Sequence, residues 1–323
     1  MAGSWKSAAR AAFIGGGGLR AVRWISRNGL RILMYHRFNN AAALERQCRH
    51  LRESYQLVSL SEAADSLERQ RPLPSHSVVV TVDDGYRDFY EIAYPIFSVY
   101  RIPVTVYLVT DFLDGNLWLW TDQIEHAFLK TNKPELRMAL PGDTRLELSL
   151  GSEEERQFAS QRTMEALKLL SNEERLGTLA VLPQVLDVEI PVRPPRGYEA
   201  LTWDQLKEMA HAGVEFGAHT RTHPVLSRLS LRSQLADEIS GSKRRLEEAL
   251  QMGVRHFCYP NGLWRDISAE AVETVRLAGY QTAVTAEPGL NSQVDDLLRL
   301  RSVAVDPTYE PLYFQQCAAA FLV

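Results

Sequence analysis

Two short stretches hold the side chains best suited to chemistry. Residues 78–88 read Val-Val-Val-Thr-Val-Asp-Asp-Gly-Tyr-Arg-Asp, an apolar run that ends in two adjacent carboxylates, Asp83 and Asp84. Residues 219–224 read His-Thr-Arg-Thr-His-Pro, again just after an apolar run, so His219 and His223 stand four positions apart. Two imidazoles and one carboxylate can hold a divalent metal with a position left open. A water fills that position, and the spare carboxylate accepts its proton. Neither stretch is decisive alone. An Asp-Gly pair after a strand is often only a turn, and 8 histidines in 323 residues produce one such spacing by chance in a fair share of chains. Their joint placement at strand ends is what carries weight. Pro224 biases His223 away from mid-helix geometry and puts the pair on a loop or first turn.

Such groups need a scaffold that gathers strand ends. Short apolar runs alternate with helical patterns along the chain, which predicts an α/β fold with a parallel sheet. The strands expected are Ile32–Tyr35, Val78–Val82, Val104–Val109, Val214–Gly217, His256–Tyr259, Thr282–Thr285 and Ser302–Val305. Helical spacing covers Leu44–Tyr55, Ser61–Gln70, Tyr90–Tyr100, Thr202–Ala212, Ser230–Met252 and Ser268–Ala278. Residues 114–199 differ in composition, with a Glu-rich helical stretch at 152–182 and prolines at 191–195. They read as an inserted, mainly helical lobe. The C-terminal ends of the expected strands carry His36, Asp83 with Asp84, Asp111, His219 with His223, and Tyr259 to Gly262. Parallel barrels build their active sites from those ends.

His36 closes Met34-Tyr35-His36 and is either a hydrogen-bonded rim residue or a general acid at the opposite wall of the site. The other uncommitted histidines lie in helices, in a Pro-flanked loop or at the wrong end of a strand, which favours His36. Tyr259-Pro260-Asn261-Gly262 is at least a turn. A rigid Pro-then-Gly turn can also aim a backbone N–H at a developing oxyanion. Arg299 and Arg301 are either solvated charges or a buried partner that keeps Asp83 ionised.

At 45% hydrophobic the chain can bury a large core, and a formal charge of −4 argues against a general nucleic-acid binder. Cys48, Cys258 and Cys317 are far apart with no CxxC spacing, which favours a reducing compartment. Residues 1–30 form a basic leader, either disordered or apposed to an anionic membrane through Trp5, Phe13, Leu19, Val22, Trp24 and Ile25. Its longest apolar piece runs into Gly15 to Gly18 rather than a signal-peptide core. A cytoplasmic location, peripheral to the inner membrane, is expected.

In order, Thr81-Val82-Asp83-Asp84-Gly85, His219-Thr220-Arg221-Thr222-His223-Pro224 and the Tyr259-Pro260-Asn261-Gly262 turn resemble the polysaccharide deacetylases. That is the NodB homology group, carbohydrate esterase family four, and the similarity spans about residues 30–112 and 200–305. The resemblance implies a distorted (β/α) barrel over residues 31–323. It implies that Asp84, His219 and His223 bind a divalent metal, most often Zn2+ with Co2+ or Ni2+ as substitutes. Asp83 is then the general base, the Asn261 N–H an oxyanion donor, and Tyr259, Pro260 and Arg301 substrate-facing or base-orienting. Two departures are visible. Many members orient the base with an arginine where this chain has Cys258, and many draw the acid from a late histidine, whereas none follows His256 here. Met34-Tyr35-His36-Arg37 and Phe257-Cys258-Tyr259-Pro260-Asn261-Gly262 resemble the branch of poly-N-acetylglucosamine and exopolysaccharide deacetylases, in which the early histidine is the acid.

The expected function is metal-dependent removal of N-acetyl groups from a sugar or polysaccharide. The alternatives are another N-acyl or O-acetyl sugar substrate, or a catalytically silent carbohydrate-binding protein. Trp118, Trp120 and Trp203 are either sugar-stacking surface or core.

Overall fold

The computed structural model describes residues 18–142 and 144–321. Helix α1 (Gly18–Ile25) precedes β1 (Arg31–Tyr35), α2 (Ala41–Ser54), β2 (Gln56–Leu57), α3 (Leu60–Glu68) and β3 (Ser77–Val82). A π-helical turn leads into α4 (Tyr94–Val99), β4 (Val104–Leu108) and α5 (Thr110–Leu113). After the lobe come α9 (Trp203–His211), β7 (Glu215–Ala218), α10 (Arg232–Leu250), β8 (His256–Cys258), α11 (Ala269–Leu277), β9 (Thr282–Val284), β10 (Val303–Ala304) and α12 (Pro311–Ala318). The strands expected from sequence form within a residue or two of their bounds. Of the expected leader, residues 18–25 are this first helix, and residues 1–17 lie outside the described residues.

The sheet order is β10-β1-β3-β4-β7-β8-β9, all parallel, with β2 also paired to β3. A bridge from Val284 to Leu300, just ahead of β10, links the two edges of the curled sheet. The result is a distorted (β/α) barrel. Strands β1, β3 and β4 are buried throughout their length, as a parallel sheet covered on both faces requires.

Strand parity sorts the side chains. Leu33, Val80, Val106 and Phe257 pack outward under the helices. Ile32, Val79, Tyr107 and Cys258 pack together in a second cluster inside the curl. Because successive strand residues project to opposite faces, Asp83, Gly217 and His219 share parity with the inward set. Gly217 is required there: a Cβ would stand 2.5 Å from the Tyr107 ring and 2.8 Å from the His256 carbonyl.

Between β4 and β7 the chain builds α6 (Trp120–Lys130), the hairpin β5 (Glu135–Ala139) with β6 (Arg145–Ser149), α7 (Glu153–Leu167) and α8 (Asn172–Leu186). They enclose a core of their own that includes Trp120, Ile124, Phe128, Leu136, Leu167 and Leu182. Ser152 and Ser171 each form a capping box with a glutamate three residues on, which fixes where α7 and α8 begin. No helix among the described residues is long and apolar enough to cross a membrane.

Gly217→Ala should cost on the order of 2–3 kcal/mol through overpacking against Tyr107. Urea unfolding followed by circular dichroism measures it.

Candidate active site

The cavity of about 230 Å³ at the C-terminal end of the strands is lined by His36, Asp83, Asp84, His219, His223 and Asn261, among others. Asp84, His219 and His223 are all buried, and their ligand atoms lie within 4.8 Å of one another. The Asp84 Oδ1 stands 3.6 Å from the His219 Nε2 and 3.5 Å from the His223 Nε2. Ligands bonded at about 2.1 Å to a tetrahedral ion sit roughly 3.4 Å apart, so the three atoms are spaced as a metal would space them. Asp84 Oδ1 has no hydrogen-bond partner among the described residues, and neither has His223 Nδ1.

Electrostatics point the same way. Burial drives the His219 imidazole down to about 3 and that of His223 well below its ordinary value, so both rings are neutral and able to ligate. The His219 Nδ1 lies 2.8 Å from the Cys258 carbonyl, which fixes the ring with Nε2 toward the cavity. Burial also pushes both Asp83 and Asp84 up to about 7, opposed by His36 on Asp83 and by Arg37 on Asp84. Without a cation, the pair is held at a cost. Asp83, His219 and Cys258 lie equally close together. However, burial and the Asp83 charge hold the Cys258 thiol protonated, so the thiol is the weaker candidate ligand.

Asp83 receives the Cys258 thiol at 3.3 Å on Oδ2, while its Oδ1 has no partner among the described residues. His36 is half-exposed, with Nε2 4.0 Å from the same Oδ2. Strands β1 and β3 are neighbours in register, Tyr35 beside Val82, so the next residue of each strand stands beside the other.

The turn after β8 divides its residues. Asn261 adopts a left-handed backbone at φ 63, lines the cavity and donates its N–H to no acceptor among the described residues. Pro260 is buried and fixes the turn. Tyr259 forms part of the wall, but parity directs its ring into the outer core against Phe257, and its hydroxyl donates to the Leu298 carbonyl at 3.0 Å. It cannot orient the base. Nor does Arg301: its side chain is exposed and lies over Gly289, and it makes no ion pair with Asp83 among the described residues. Its backbone pairs with Asn291 instead.

Trp118 and Trp120 are core residues, and Trp203 is held by Asp114 at 2.9 Å beneath the Arg245 guanidinium. None of the three offers a free face to a sugar. The lobe nevertheless reaches the site. Thr121 and Lys168 line the cavity, and the Trp120 indole donates to the His223 carbonyl at 3.0 Å. No local sequence signal marks those contacts, because they join residues far apart in the chain.

The loop carrying the histidines is strained and firmly held. Thr220 and His223 have φ of 68 and 58, conformations that cost about 1–3 kcal/mol each in residues with a Cβ. The Glu238 carboxylate, from α10, accepts the Arg221 and Thr222 N–H groups at 2.8 and 2.9 Å and the Thr222 hydroxyl at 2.5 Å. Asp111 grips the Arg221 guanidinium at 3.1 Å. It therefore acts on the loop rather than in the cavity.

A family model described as polysaccharide deacetylase matches residues 153–283, which take in the histidine loop and the turn after β8. The chain is 22% identical over 286 residues to "Putative polysaccharide deacetylase YxkH" of Bacillus subtilis (strain 168), a match covering 86% of this chain and 72% of that one. A shorter match, 40% identical over 63 residues, joins it to the poly-beta-1,6-N-acetyl-D-glucosamine N-deacetylase of Escherichia coli (strain K12), covering 19% of this chain and 9% of that one. In fold it is similar to the Streptococcus pyogenes deacetylase PplD, solved with acetate. That likeness has a TM-score of 0.59 at 20% identity, over 90% of this chain and 99% of that one. These matches give the chain a polysaccharide deacetylase region over residues 153–283 and mark it as a hydrolase of the deacetylase type.

Proposed function

We propose that the chain removes N-acetyl groups from an N-acetylated polysaccharide in a metal-dependent hydrolysis. The observation that carries this reading is the metal-like spacing of Asp84, His219 and His223, with the Asp83 Oδ1 left without a partner among the described residues beside them. The names of the relatives support the substrate class: one acts on a poly-N-acetylglucosamine, and another was solved with acetate, the acid that deacetylation releases.

Asp84, His219 and His223 would hold the ion, and their two nitrogens and one carboxylate suit Zn2+, with Co2+ or Ni2+ as substitutes. Bound there, a divalent cation supplies Lewis acidity to the acyl carbonyl and lowers the pKa of water. The chain's own residues do the rest. Asp83 takes the proton of the attacking water. The Asn261 N–H faces the oxyanion that forms on the acyl carbon. His36 delivers a proton to the departing amine nitrogen as the C–N bond breaks, leaving acetate and a free amino sugar.

The two carboxylates should separate in function. Asp83→Asn should keep stoichiometric zinc yet lose about 10²- to 10⁴-fold in turnover, whereas Asp84→Asn and His223→Ala should lose the metal. Elemental analysis beside mass spectrometry of an N-acetylglucosamine oligomer checks both, and equal zinc loss in all three variants would refute the division of roles.

The carboxylate contribution to stability should depend on pH in a defined direction. Folding raises the pKa of Asp83 and Asp84 to about 7, so it favours their protonated forms. That stability is present at low pH and is lost as pH rises through the folded values. The neutral imidazoles of His219 and His223 act in the opposite sense, costing stability as pH falls. The carboxylate contribution is therefore read by comparing wild type with Asp84→Asn. In chelated protein the variant's advantage should be larger at about pH 8 than at about pH 5, and added zinc should stabilise only the wild type. Asp84→Asn should raise the melting temperature of the chelated protein at the higher pH and abolish the response to zinc.

His36→Ala should retain zinc and lose about 10²- to 10⁴-fold in turnover. A near-normal rate on the glycan would return His36 to the role of a rim residue.

A further inference from the structure

Helix α1 runs into the N-terminal end of β1, so it lies at the opposite end of the sheet from the catalytic cavity. It presents Trp24 and Ile25 side by side at 63% and 73% exposure. The Arg27 guanidinium stands 4.4 Å from the Trp24 ring, a pairing of aromatic and cation that suits a boundary between water and an apolar phase. Against the same helix lies a cleft of about 240 Å³ shared with α2 and α12, lined by Arg20, Arg23, His50, Ser54 and Tyr55, with no carboxylate in its wall. Beneath it Arg31 is fully buried, held by the carbonyls of Ser26 and Gly29 and, among the described residues, by no carboxylate.

The charge distribution sharpens the contrast. Seven of the 36 basic residues precede Glu45, but none of the 40 acidic ones does. Of those seven, Arg20, Arg23, Arg27 and Arg31 are the described residues on and just after α1. They are a cluster of positive charge on a chain that is acidic overall at −4, and they make this end a cationic pole. Two exposed apolar side chains are far too small a patch for a stable protein interface, which needs about 1,000 Å². They are enough for a bilayer surface, where a few apolar anchors and clustered arginines act together.

We propose that this pole docks on an anionic phospholipid surface. Trp24 and Ile25 enter the headgroup boundary, and the cleft at Arg20 and Arg23 receives a headgroup phosphate. The five residues of β1 then lift the catalytic end roughly 16 Å further from the surface. The cavity faces bulk water, open to a glycan in the aqueous phase, and docking does not occlude it.

The test is cosedimentation of the full chain with vesicles of phosphatidylcholine alone or mixed with phosphatidylglycerol. Binding should require the anionic lipid and weaken as salt rises. Each basic charge removed should weaken partitioning about fivefold, so Arg20→Glu with Arg23→Glu should cost at least about 25-fold. Trp24→Ser with Ile25→Ser should cost about tenfold or more. Where the double reversal melts early, Arg20→Gln alone, on an exposed position, should still show the fivefold loss. Turnover of a soluble N-acetylated oligosaccharide should be unchanged by saturating vesicles. Equal binding to both vesicle types, undiminished binding of the variants, or release from vesicles by millimolar inorganic phosphate at constant ionic strength would overturn the proposal. Inhibition of the soluble reaction by vesicles would overturn the orientation.

Discussion

Two consecutive carboxylates buried at one strand end are the constraint on which the site depends. Consecutive residues of a strand point to opposite faces, so a regular pleat would send Asp83 into the curl and Asp84 into the outer core. The chain breaks the pleat at that point. Asp84 takes φ 73 and Gly85 φ 86, which turns the second carboxylate into the same cavity as the first. A left-handed aspartate is unusual but tolerated, whereas the following position needs glycine because a Cβ would meet Leu108 at 2.8 Å. Once both groups share a desolvated cavity, each penalises the other's charge, and only cationic or proton-bearing neighbours can offset it. His36 beside Asp83 and Arg37 near Asp84 answer that demand in part, and in the proposed function a cation held by Asp84, His219 and His223 would answer the rest.

The same strategy recurs around the rim. Thr220, His223 and Asn261, like Asp84, hold left-handed backbones without being glycine. Backbones of this kind persist only where neighbours over-determine them. Glu238 and Asp111 clamp the histidine loop from one side, and the Trp120 indole holds the His223 carbonyl from the other. The lobe thus belongs to the site's architecture. Its α6 fixes a candidate ligand's backbone, and Thr121 and Lys168 complete the cavity wall.

Much of this was legible in the chain. Val78 to Val82 reads as a buried strand because β-branched residues run without interruption, and the polar groups after it mark its C-terminal end. The hairpin within the lobe was missed. Glu-Leu-Arg-Met-Ala and Arg-Leu-Glu-Leu-Ser do alternate with period two, but both are submerged in a Glu-rich stretch whose dominant pattern is helical. Strand parity carries a further signal. Counting back from Tyr259 along β8 puts Phe257 and Tyr259 on one face and Cys258 on the other. That count alone predicts that the Cys258 side chain, not the Tyr259 ring, faces Asp83. The contact of Glu238 with the histidine loop and the burial of the tryptophans were not readable, because both depend on how helices distant in sequence pack. The position of Arg301 over Gly289 is of the same kind.

Cys258 also changes how the proposed base is governed. An arginine beside Asp83 would hold its carboxylate ionised by charge; the thiol offers one weak neutral hydrogen bond. The charge that can compensate Asp83 then lies on His36, 4.0 Å away on the adjacent strand. The His36 imidazole opposes the effect of burial on Asp83 and so favours the ionised base. In the mechanism proposed, amide hydrolysis needs a free base before water attacks. The juxtaposition follows from register alone, since Tyr35 beside Val82 makes His36 and Asp83 the next pair. With a thiol in place of the arginine, the proposed base takes its opposing charge from the proposed acid.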